Sequence, residues 1–376
     1  MRIGLNAQLL SLSYSYRGAG IAHYIHQTLM HLPRVSAHRY IAFVADRTFQ
    51  ADGLEVVSSR LPTARPPARI FWEQACLPVE LARRRIDLLH AMAFVTPVLS
   101  RVPSVVTVYD VSFALFPDSF RPLNRWYLTA MTRRSVRKAR AVIAISQNTA
   151  DDLMRLWDVP RDKIHLAHCG VDAIFRPMPA VEVEAFRAAK GLPPQYILFV
   201  GTLEPRKNVV GLVEAFALLK RQGFPHKLVL AGGKGWMYEP IFAAVERLGL
   251  ASDVIFPGFV PRQELPLWYN GAAAFVYPSL YEGFGLGPLE AMACGTPVVV
   301  SDRASLPEVV GDAGLMAPPN DAPALAEAMA AIVRDRALAD GLRERGLRRA
   351  AQFTWERTAA ATVQAYESAL SERQHV

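Results

Sequence analysis

Short apolar runs alternate with longer amphipathic stretches along the first half of the chain. Five runs rich in valine and isoleucine predict buried strands: RIGLNA (2–7), YIAFVAD (40–46), DLLHAM (87–92), SVVTVYD (104–110) and AVIAIS (141–146). The stretches between them have the composition of helices: GIAHYIHQTLMHL (20–32), RIFWEQACLPVELARRR (69–85) and LNRWYLTAMTRRSVRKA (123–139). This alternation predicts a parallel sheet wrapped by helices.

The pattern breaks in a proline-rich stretch, residues 168–195, and then starts again. The second series of strands is YILFVG (196–201), KLVLAGG (227–233), VIFPGFV (254–260), AAFVYPS (273–279) and TPVVVSD (296–302). Two helical stretches, 321–350 and 354–371, close the chain. We therefore predict an α/β protein with two Rossmann-like domains. The first is 1–175, joined by the C-terminal helix 354–376, and the second is 176–353.

Composition supports this division. A chain of 376 residues with 51% hydrophobic content is long enough for two domains with their own cores. The N-terminus lacks the apolar region of a signal peptide, and no run of 18 apolar residues predicts a transmembrane helix. Three scattered cysteines, without metal-ligand or CxxC spacing, favour a reducing cytoplasm.

The net charge of +8 is concentrated in the first half. Residues 1–180 contain 23 Lys+Arg and 13 Asp+Glu, a balance of +10, whereas the remainder contains 19 and 21, a balance of −2. A basic N-terminal half of this kind suits attraction of nucleic acid, anionic lipid headgroups or a phosphorylated substrate. The alternative is that the basic residues form an ordinary solvated surface. The chain has no basic helix or aromatic–basic strand motif, so nucleic acid is not expected as a partner.

Two adjacent cations follow the first strand of the second half. In YILFVGTLEPRKN, Arg206 and Lys207 come just beyond the carboxyl end of the strand, and Asn208 is placed to cap the next helix. A guanidinium fork beside a mobile ammonium suits a pyrophosphate. From the residues alone, a solvated surface pair remains an equal alternative.

Two glutamates lie eight positions apart in PSLYEGFGLGPLEAMACGTPVVVSD (278–302). Glycines 283, 285 and 287 allow the backbone to approach a ligand, and Pro288 fits the first turn of a helix that contains Glu290. A carboxylate in that turn is placed to accept the two hydroxyls of a ribose, and Glu282 would reach the other end of the same molecule. The alternative is that Glu290 only caps its own helix and Glu282 is exposed.

The E-x7-E segment, preceded by GTLEPRKN, resembles the retaining GT-B glycosyltransferases of family 4, in particular the mannosyltransferase-like branch that builds bacterial surface polysaccharides. Further blocks match in order along most of the chain: RGAGIAHYI, TVYDVSFALFPDSF, AISQNTADDL, GVDAIFRP and SLPEVVGDAG. The resemblance implies a GT-B fold, in which two Rossmann-like domains face each other across a cleft and the C-terminal helix crosses back to the N-terminal domain. The first domain would bind the acceptor and the second the nucleotide-sugar donor.

The resemblance also implies roles for individual residues. Arg206 and Lys207 would neutralise the donor diphosphate, and Glu282 would contact the donor sugar near the reacting centre. Asp110 joins them in the catalytic set, which is Glu282, Arg206, Lys207 and Asp110. The donor-binding set is Gly18, Gly20, Val260, Gly283, Phe284, Gly285, Leu286 and Glu290. His90 and Tyr109 are placed on the acceptor or sugar side, and no metal ligands are expected.

The chain departs from its family pattern at several positions. Many relatives read GIGRY where this chain reads GIAHY, so the chain differs at Ala22 and His23. Many relatives also have a histidine before the aspartate where this chain has Tyr109 before Asp110. The role of that histidine therefore does not transfer to Tyr109. A lone histidine at a strand end, such as His90, is on physical grounds more often structural than catalytic.

The expected activity is transfer of a hexose, mannose by preference, from GDP-mannose to a glycan or polyprenyl-diphosphate-linked acceptor in lipopolysaccharide-type synthesis. Retention of anomeric configuration is expected, without metal or cofactor. The protein would be cytoplasmic and would contact the inner face of the cytoplasmic membrane through its basic N-terminal domain. Alternatives are a sugar-nucleotide epimerase or phosphorylase on the same scaffold, or a basic nucleic-acid-binding protein. Loss of Arg206 or Lys207 is predicted to lower turnover by orders of magnitude with little effect on folding.

Overall fold

The computed structural model describes residues 1–12 and 19–371. The chain divides into two compact units, one formed by Met1–Gly170 with Thr354–Val376 and the other by Val171–Phe353. The division after Gly170 falls five residues before the predicted one. Both units are parallel α/β structures, as the alternation of apolar and amphipathic segments predicts.

The first unit contains a parallel sheet of seven strands within the described residues, in the order β3-β2-β1-β4-β5-β6-β7. The strands are β1 (Arg2–Ala7), β2 (Arg39–Val44), β3 (Leu54–Ser58), β4 (Leu88–Ala91), β5 (Ser104–Val108), β6 (Ala141–Ala144) and β7 (Ile164–Leu166). The helices are α1 (Ala19–Val35), α2 (Pro66–Phe71), α3 (Leu77–Arg83), α4 (Ser112–Leu115), α5 (Pro122–Lys138) and α6 (Gln147–Trp157), with a π-helical turn at Trp72–Cys76 and 3-10 turns at Pro117–Ser119 and Arg161–Lys163.

The second unit contains a parallel sheet of six strands in the order β10-β9-β8-β11-β12-β13. The strands are β8 (Tyr196–Val200), β9 (Lys227–Ala231), β10 (Val254–Gly258), β11 (Ala274–Tyr277), β12 (Val298–Ser301) and β13 (Leu315–Ala317). The helices are α7 (Ala180–Lys190), α8 (Val209–Arg221), α9 (Glu239–Arg247), α10 (Leu265–Gly271), α11 (Leu286–Ala293), α12 (Leu306–Val310), α13 (Ala322–Arg334) and α14 (Arg336–Ala350), with a 3-10 turn at Pro205–Lys207.

The last helix, α15 (Trp355–Ser371), belongs to the first unit. Its buried face carries Val363 and Tyr366, which join the core that also contains Ile3 and Leu5 of β1 and Leu29 of α1. Complete burial of such a side chain contributes about 1.5–3 kcal/mol. The C-terminal helix is therefore part of the hydrophobic core of the N-terminal sheet.

Three strands are absent from the predicted set: β3, β7 and β13. Each is the edge strand of its sheet. β3 is only half-buried, and β7 and β13 are three residues long. Short and partly polar edge strands discourage further pairing, and they lack the apolar run that marks a central strand. The predicted helix over 69–85 is helical throughout most of its length, but the π turn interrupts it.

Candidate functional site

The first and fourth strands of the second unit, β8 and β11, lie side by side in the sheet, with Ile197 opposite Ala274. All strands of this sheet are parallel, so the loops that follow β8 and β11 leave from the same edge. At this point the strand order changes direction, and open α/β sheets bind ligands in the crevice formed there. The loop after β8 carries Arg206 and Lys207, and the loop after β11 carries Glu282.

Lys207 and Glu282 form a buried ion pair across this point. The Lys207 Nζ lies 2.6 Å from Glu282 Oε1 and also donates to the Tyr277 hydroxyl at 2.6 Å. The ammonium is 4.9 Å from the centre of the Tyr277 ring, a cation–π distance. Both charged side chains are nine-tenths buried. A buried charge needs a partner, so neither side chain is a solvated surface group.

Arg206 adds a second cation to the pair. Its guanidinium donates to the carbonyl oxygen of Tyr281 at 2.6 Å and to the carboxylate of Glu204 at 2.8 Å, and it lies 3.2 Å from Glu282 Oε2. Its main-chain oxygen accepts from the Leu280 N–H at 2.9 Å. The two loops are therefore joined by side-chain and main-chain bonds.

The electrostatics keep this cluster ionised. Burial lowers the pKa of Lys207, but the adjacent Glu282 carboxylate, together with Tyr277 and Glu204, outweighs this, so the pKa lies above its usual value. Burial raises the pKa of Glu282, but Lys207 and Arg206 together bring it well below its usual value. Burial raises the pKa of Glu204, against the opposing effect of Arg206. Lys207 and Glu282 are therefore both charged at neutral pH.

Asn208 does not have the predicted capping role. It precedes α8 in a left-handed conformation, φ +52°, and its side chain makes no bond to the start of the helix. The amide donates instead to the carbonyl oxygen of Pro319 at 2.6 Å. Asn208 thus fixes the end of the Arg206–Lys207 turn against another loop.

The glycine-bearing loop leads from Glu282 into α11. Gly285 has φ +118°, which side chains rarely adopt, and an added Cβ would lie 2.9 Å from Leu306 Cδ2. The Ser305 hydroxyl lies 3.0 Å from the Glu282 carbonyl oxygen and 2.6 Å from that of Phe284. The Phe284 ring packs edge-to-face on Phe353 at 5.7 Å. The loop is therefore held from several sides, with Leu286 starting the helix.

Glu290 lies on the fifth residue of α11, so its predicted place in the first turn is wrong. Its carboxylate accepts from Arg262 at 2.8 Å and from the Tyr269 hydroxyl at 3.1 Å. Arg262 also bonds Asp172 at 2.8 Å and lies 4.8 Å from the centre of the Phe175 ring. Burial lowers the pKa of Arg262, but Glu290 and Asp172 more than offset this and raise it.

Arg262 and its partners were not predicted from the sequence as part of the site. Arg262 follows β10 within four residues, at the same sheet edge as Arg206. Its position just after the end of a strand was the feature of the sequence that could have indicated this role. Asp172 and Phe175 stand in the stretch assigned to the first domain, whereas they belong to the second unit. Val260, which is buried, lies between β10 and Arg262.

Two of the predicted site residues of the first unit, His90 and Tyr109, are buried in its core. His90 is completely buried within β4, and its Nδ1 and Nε2 lie 2.7 Å from the Tyr366 hydroxyl and 2.8 Å from that of Thr107. Burial lowers its pKa to about 3, so the ring is neutral. Tyr109 is buried and donates to the Met92 carbonyl oxygen at 2.7 Å. Both residues are therefore held in the core of the first unit by buried hydrogen bonds.

Asp110 and the first glycines lie nearer to solvent. Asp110 is half-buried beyond the end of β5, where it accepts from the Ser112 N–H at 2.8 Å and hydroxyl at 2.6 Å. Gly20 is exposed at the start of α1, and an added Cβ there would meet open space. Gly18 lies outside the described residues.

Two further properties concern metal and membrane. In residues 1–12 and 19–371, no group of three or more His, Cys, Asp or Glu side chains is arranged to hold a metal ion. Across the same ranges, no helix combines the length and the apolar character needed to cross a membrane.

Comparison with known proteins places this arrangement in a family. Residues 18–174 match the family described as Glycosyltransferase Family 4, and residues 182–349 match Glycosyl transferases group 1. The chain is 37% identical over 269 residues to the O-antigen chain mannosyltransferase B of Escherichia coli, an alignment that covers 70% of each protein.

Solved structures agree in fold. Sucrose-phosphate synthase from Thermosynechococcus elongatus superposes with a TM-score of 0.79 at 23% identity, covering 99% of both chains. WaaG, a glycosyltransferase involved in lipopolysaccharide biosynthesis, superposes with a TM-score of 0.74 at 16% identity, covering 96% of this chain and 98% of its own. At these identities the likeness carries the fold alone. Taken with the family matches, it identifies the chain as a mannosyltransferase-like member of glycosyltransferase family 4 with the GT-B fold.

Proposed function

We propose that this glycosyltransferase moves mannose from GDP-mannose to a hydroxyl of a glycan or lipid-linked glycan, with retention of anomeric configuration, in the synthesis of a surface polysaccharide. The relative named as an O-antigen chain mannosyltransferase supports the sugar and the process. The observation that carries the donor site is the buried cluster of Arg206, Lys207 and Glu282 where the strand order reverses.

The two cations suit the donor diphosphate. Breaking the anomeric C–O bond develops negative charge on the diphosphate, and fixed cations in a low-dielectric site stabilise that charge without reorganising. Arg206 offers a guanidinium fork and Lys207 a point charge. Glu282 provides the counter-charge for both cations. When the diphosphate takes that role, Glu282 is released to accept hydroxyl groups of the sugar.

The two carboxylates serve different parts of the donor. Glu290 has its own partners, Arg262 and Tyr269, and is assigned the ribose hydroxyls. Arg262 is the positioning residue that orients it. The rule for hydrolases, in which two carboxylates flank one scissile bond, does not apply to this pair. The proton of the acceptor hydroxyl is assigned to the departing phosphate on the same face of the sugar.

The donor site is tested by calorimetric titration of the full chain with GDP, UDP and ADP in the presence of EDTA. Selective binding of GDP supports the proposal and its metal independence. Selective binding of UDP or ADP would mean that the donor carries that nucleotide in place of GDP. Binding only after magnesium is added would overturn the metal-free mechanism. Product analysis by NMR with GDP-mannose then assigns the anomeric configuration. A sugar-nucleotide epimerase would convert the donor without an acceptor.

The arginines in the second half of α5 suit an anionic lipid surface, where a lipid-linked acceptor would be found. Trp126 is 67% exposed and Leu123 is 75% exposed. The spacing of Leu123, Trp126, Arg133 and Arg137 places them along one face, and α5 contains no acidic residue. Exposed aromatic and cationic side chains on one helix face are typical of interfacial binding.

Co-sedimentation with vesicles tests this contact. Vesicles that contain phosphatidylglycerol should retain the protein, and a variant with arginine-to-glutamine changes at 133, 134 and 137 should lose most of that binding. The matched control carries the same change at the exposed arginines 221, 336 and 348 of the second unit. Equal loss in both variants, or equal binding to phosphatidylcholine vesicles, would contradict a specific surface on α5.

A further inference from the structure

An aromatic row runs through the second unit and consists of the rings of Phe199, Tyr277, Phe275, Tyr269 and Phe175. Phe275 and Tyr277 stand two positions apart on β11, so their side chains share one face of the sheet. The rings of Phe199 and Tyr277 stack with their centres 5.8 Å apart, as do those of Tyr277 and Phe275. Tyr269 meets Phe275 edge-to-face at 5.3 Å and Phe175 at 5.9 Å. These are the separations of favourable ring contacts, so the row is continuous.

The two tyrosines of the aromatic row end in polar contacts with the proposed donor site. The Tyr277 hydroxyl accepts from Lys207 Nζ at 2.6 Å, and the Tyr269 hydroxyl donates to Glu290 Oε2 at 3.1 Å. Burial raises the pKa of both phenols, and the neighbouring carboxylates of Glu282 and Glu290 raise it further, so both stay neutral at neutral pH. Each tyrosine therefore orients a charged group without adding a charge of its own.

Lys207 is held at two points and keeps one donor for a ligand. An ammonium has three N–H donors. Among the described residues, one of these donors goes to Glu282 Oε1 and one to the Tyr277 hydroxyl. The Tyr277 ring also lies against the ammonium, with 4.9 Å between Nζ and the ring centre. When a diphosphate replaces Glu282 as the counter-charge, the hydroxyl and the ring still hold the ammonium, so it does not have to reorganise.

Glu290 is likewise held at two points. Its Oε1 accepts from Arg262 and its Oε2 accepts from Tyr269. Bonds to both oxygens fix the plane of the carboxylate, and each oxygen keeps a second lone pair for a hydroxyl group of a ligand. Without the Tyr269 hydroxyl, the bond from Arg262 would fix only one oxygen. Tyr269 therefore determines how accurately the carboxylate can meet two vicinal hydroxyls.

Helix α11 rests on the middle of the aromatic row. An added Cβ at Gly287 would lie 3.3 Å from Phe275 Cζ and 3.7 Å from Tyr277 Cε2, so a side chain there would crowd the rings. The glycine allows the helix backbone to lie directly against them. Glu290 stands three residues further along α11. The rings therefore set the height of this helix above the sheet, and with it the place of Glu290.

We propose that Tyr277 and Tyr269 are positioning residues for sugar transfer. Tyr277 holds the Lys207 ammonium for the diphosphate, Tyr269 holds the Glu290 carboxylate for the ribose, and the aromatic row fixes the separation between them. The inference rests on the proposed function, because it takes the ligand to be a nucleoside diphosphate sugar. It adds that the two phenols act on different parts of the donor, whereas a role in packing alone would give them the same effect.

Calorimetric titration of the full chain tests each tyrosine with its own pair of ligands. Tyr277→Phe keeps the ring and removes the hydroxyl, so it should weaken GDP binding about 3- to 10-fold and leave guanosine binding unchanged. Tyr269→Phe should lower the preference for GDP over 2′-deoxy-GDP from about tenfold to about twofold. It should leave the ratio of the affinities for GDP and guanosine within a factor of about two of the wild type.

Tyr196→Phe is the matched control. Tyr196 is buried at the start of β8, and its hydroxyl donates to the Trp268 carbonyl oxygen of α10 at 2.8 Å. The variant loses one buried tyrosine bond to the helix that carries Tyr269, but no contact with Lys207 or Glu290. Its melting temperature should fall as in the other two variants, while both ligand ratios stay at their wild-type values.

Three results would overturn the proposal: unchanged or tighter GDP binding in Tyr277→Phe, an undiminished preference for GDP in Tyr269→Phe, or the same changes in Tyr196→Phe. If the wild type selects UDP or ADP, the GDP donor fails alone, and the same ratios are measured with that nucleotide, its nucleoside and its 2′-deoxy form. If GDP binds selectively and the tyrosine variants keep the wild-type ratios, the positioning roles fail alone. If the wild type binds no nucleotide, both fail.

Discussion

The ammonium of Lys207 lies 2.6 Å from the carboxylate of Glu282, and the two residues come from loops that are 75 positions apart in the sequence. The pair is buried, and Arg206 places a second cation 3.2 Å from the same carboxylate. Each charge therefore depends on the others for its compensation. In the proposed function a diphosphate enters this balance as the new counter-charge, so donor binding and the position of Glu282 are coupled.

The first prediction concerns the stability of this pair. Lys207→Met should lower the free energy of unfolding by about 3–5 kcal/mol, because it leaves the Glu282 carboxylate buried without its main partner. This differs from the expectation drawn from the sequence, in which loss of Lys207 leaves folding intact. The measurement is urea denaturation of the variant and the wild type.

The double variant Lys207→Met/Glu282→Leu is the control. It removes both charges and should recover most of the lost stability, while nucleotide binding stays weak. If the double variant were as unstable as the single one, the loss would come from packing of the Lys207 side chain on Tyr277, and the charge argument would not hold.

The pair also shows what the sequence was able to predict. Strand ends are visible as apolar runs followed by polar residues, so Arg206, Lys207 and Glu282 were assigned to one edge. Their contact with one another was not predicted, because it depends on the pairing of β8 with β11, which are far apart in the sequence. The same reason explains why the role of Arg262 was not predicted: it depends on contacts with Asp172 and Glu290, which are 90 and 28 positions away in the sequence. The error for Glu290 has a local cause, since α11 begins at Leu286, two residues before the proline that was taken as its first turn.

The second prediction concerns the diphosphate. Arg206→Gln should weaken GDP binding roughly 10- to 150-fold, because a charged hydrogen bond contributes about 1.5–3 kcal/mol. Binding of guanosine, which has no phosphate, should be unaffected. Arg221→Gln, an exposed arginine at the end of α8, is the matched control and should leave both affinities unchanged. A parallel loss of guanosine binding would move Arg206 away from the phosphates.

The third prediction concerns the loop before α11. Gly285→Ala should cost about 3 kcal/mol, because φ +118° is strained for alanine and the new Cβ would lie 2.9 Å from Leu306 Cδ2. Gly249→Ala isolates the backbone contribution, since Gly249 has φ +70° and nothing lies within 4 Å of an added Cβ. The control should cost only about 1 kcal/mol. Thermal unfolding of both variants gives the comparison, and equal costs would show that the loop relaxes freely.

The fourth prediction is a pH dependence caused by His90. Burial lowers its pKa to about 3, below the value of 6.5 expected in the unfolded chain. Between these values the unfolded chain binds one more proton at this site than the folded chain, so stability falls as the pH falls from 6.5 towards 3. The slope attributable to one such proton is about 1.4 kcal/mol per pH unit. His90→Gln should show a smaller slope than the wild type in denaturation curves between pH 6 and 4. Parallel dependences in the two proteins would contradict a neutral, fully buried imidazole.

The last prediction assigns Glu290 to the ribose. The wild type should bind GDP about tenfold more tightly than 2′-deoxy-GDP, because the deoxy ligand lacks a hydroxyl that a carboxylate accepts. Glu290→Gln should weaken GDP binding and bring the two affinities close together, since the loss falls on the ligand that has the hydroxyl. Glu327→Gln, on the exposed face of α13, is the control and should preserve the discrimination. If Glu290→Gln still preferred GDP by the same factor, the carboxylate would serve only to hold Arg262 and Tyr269, and the ribose would have to be recognised by other groups.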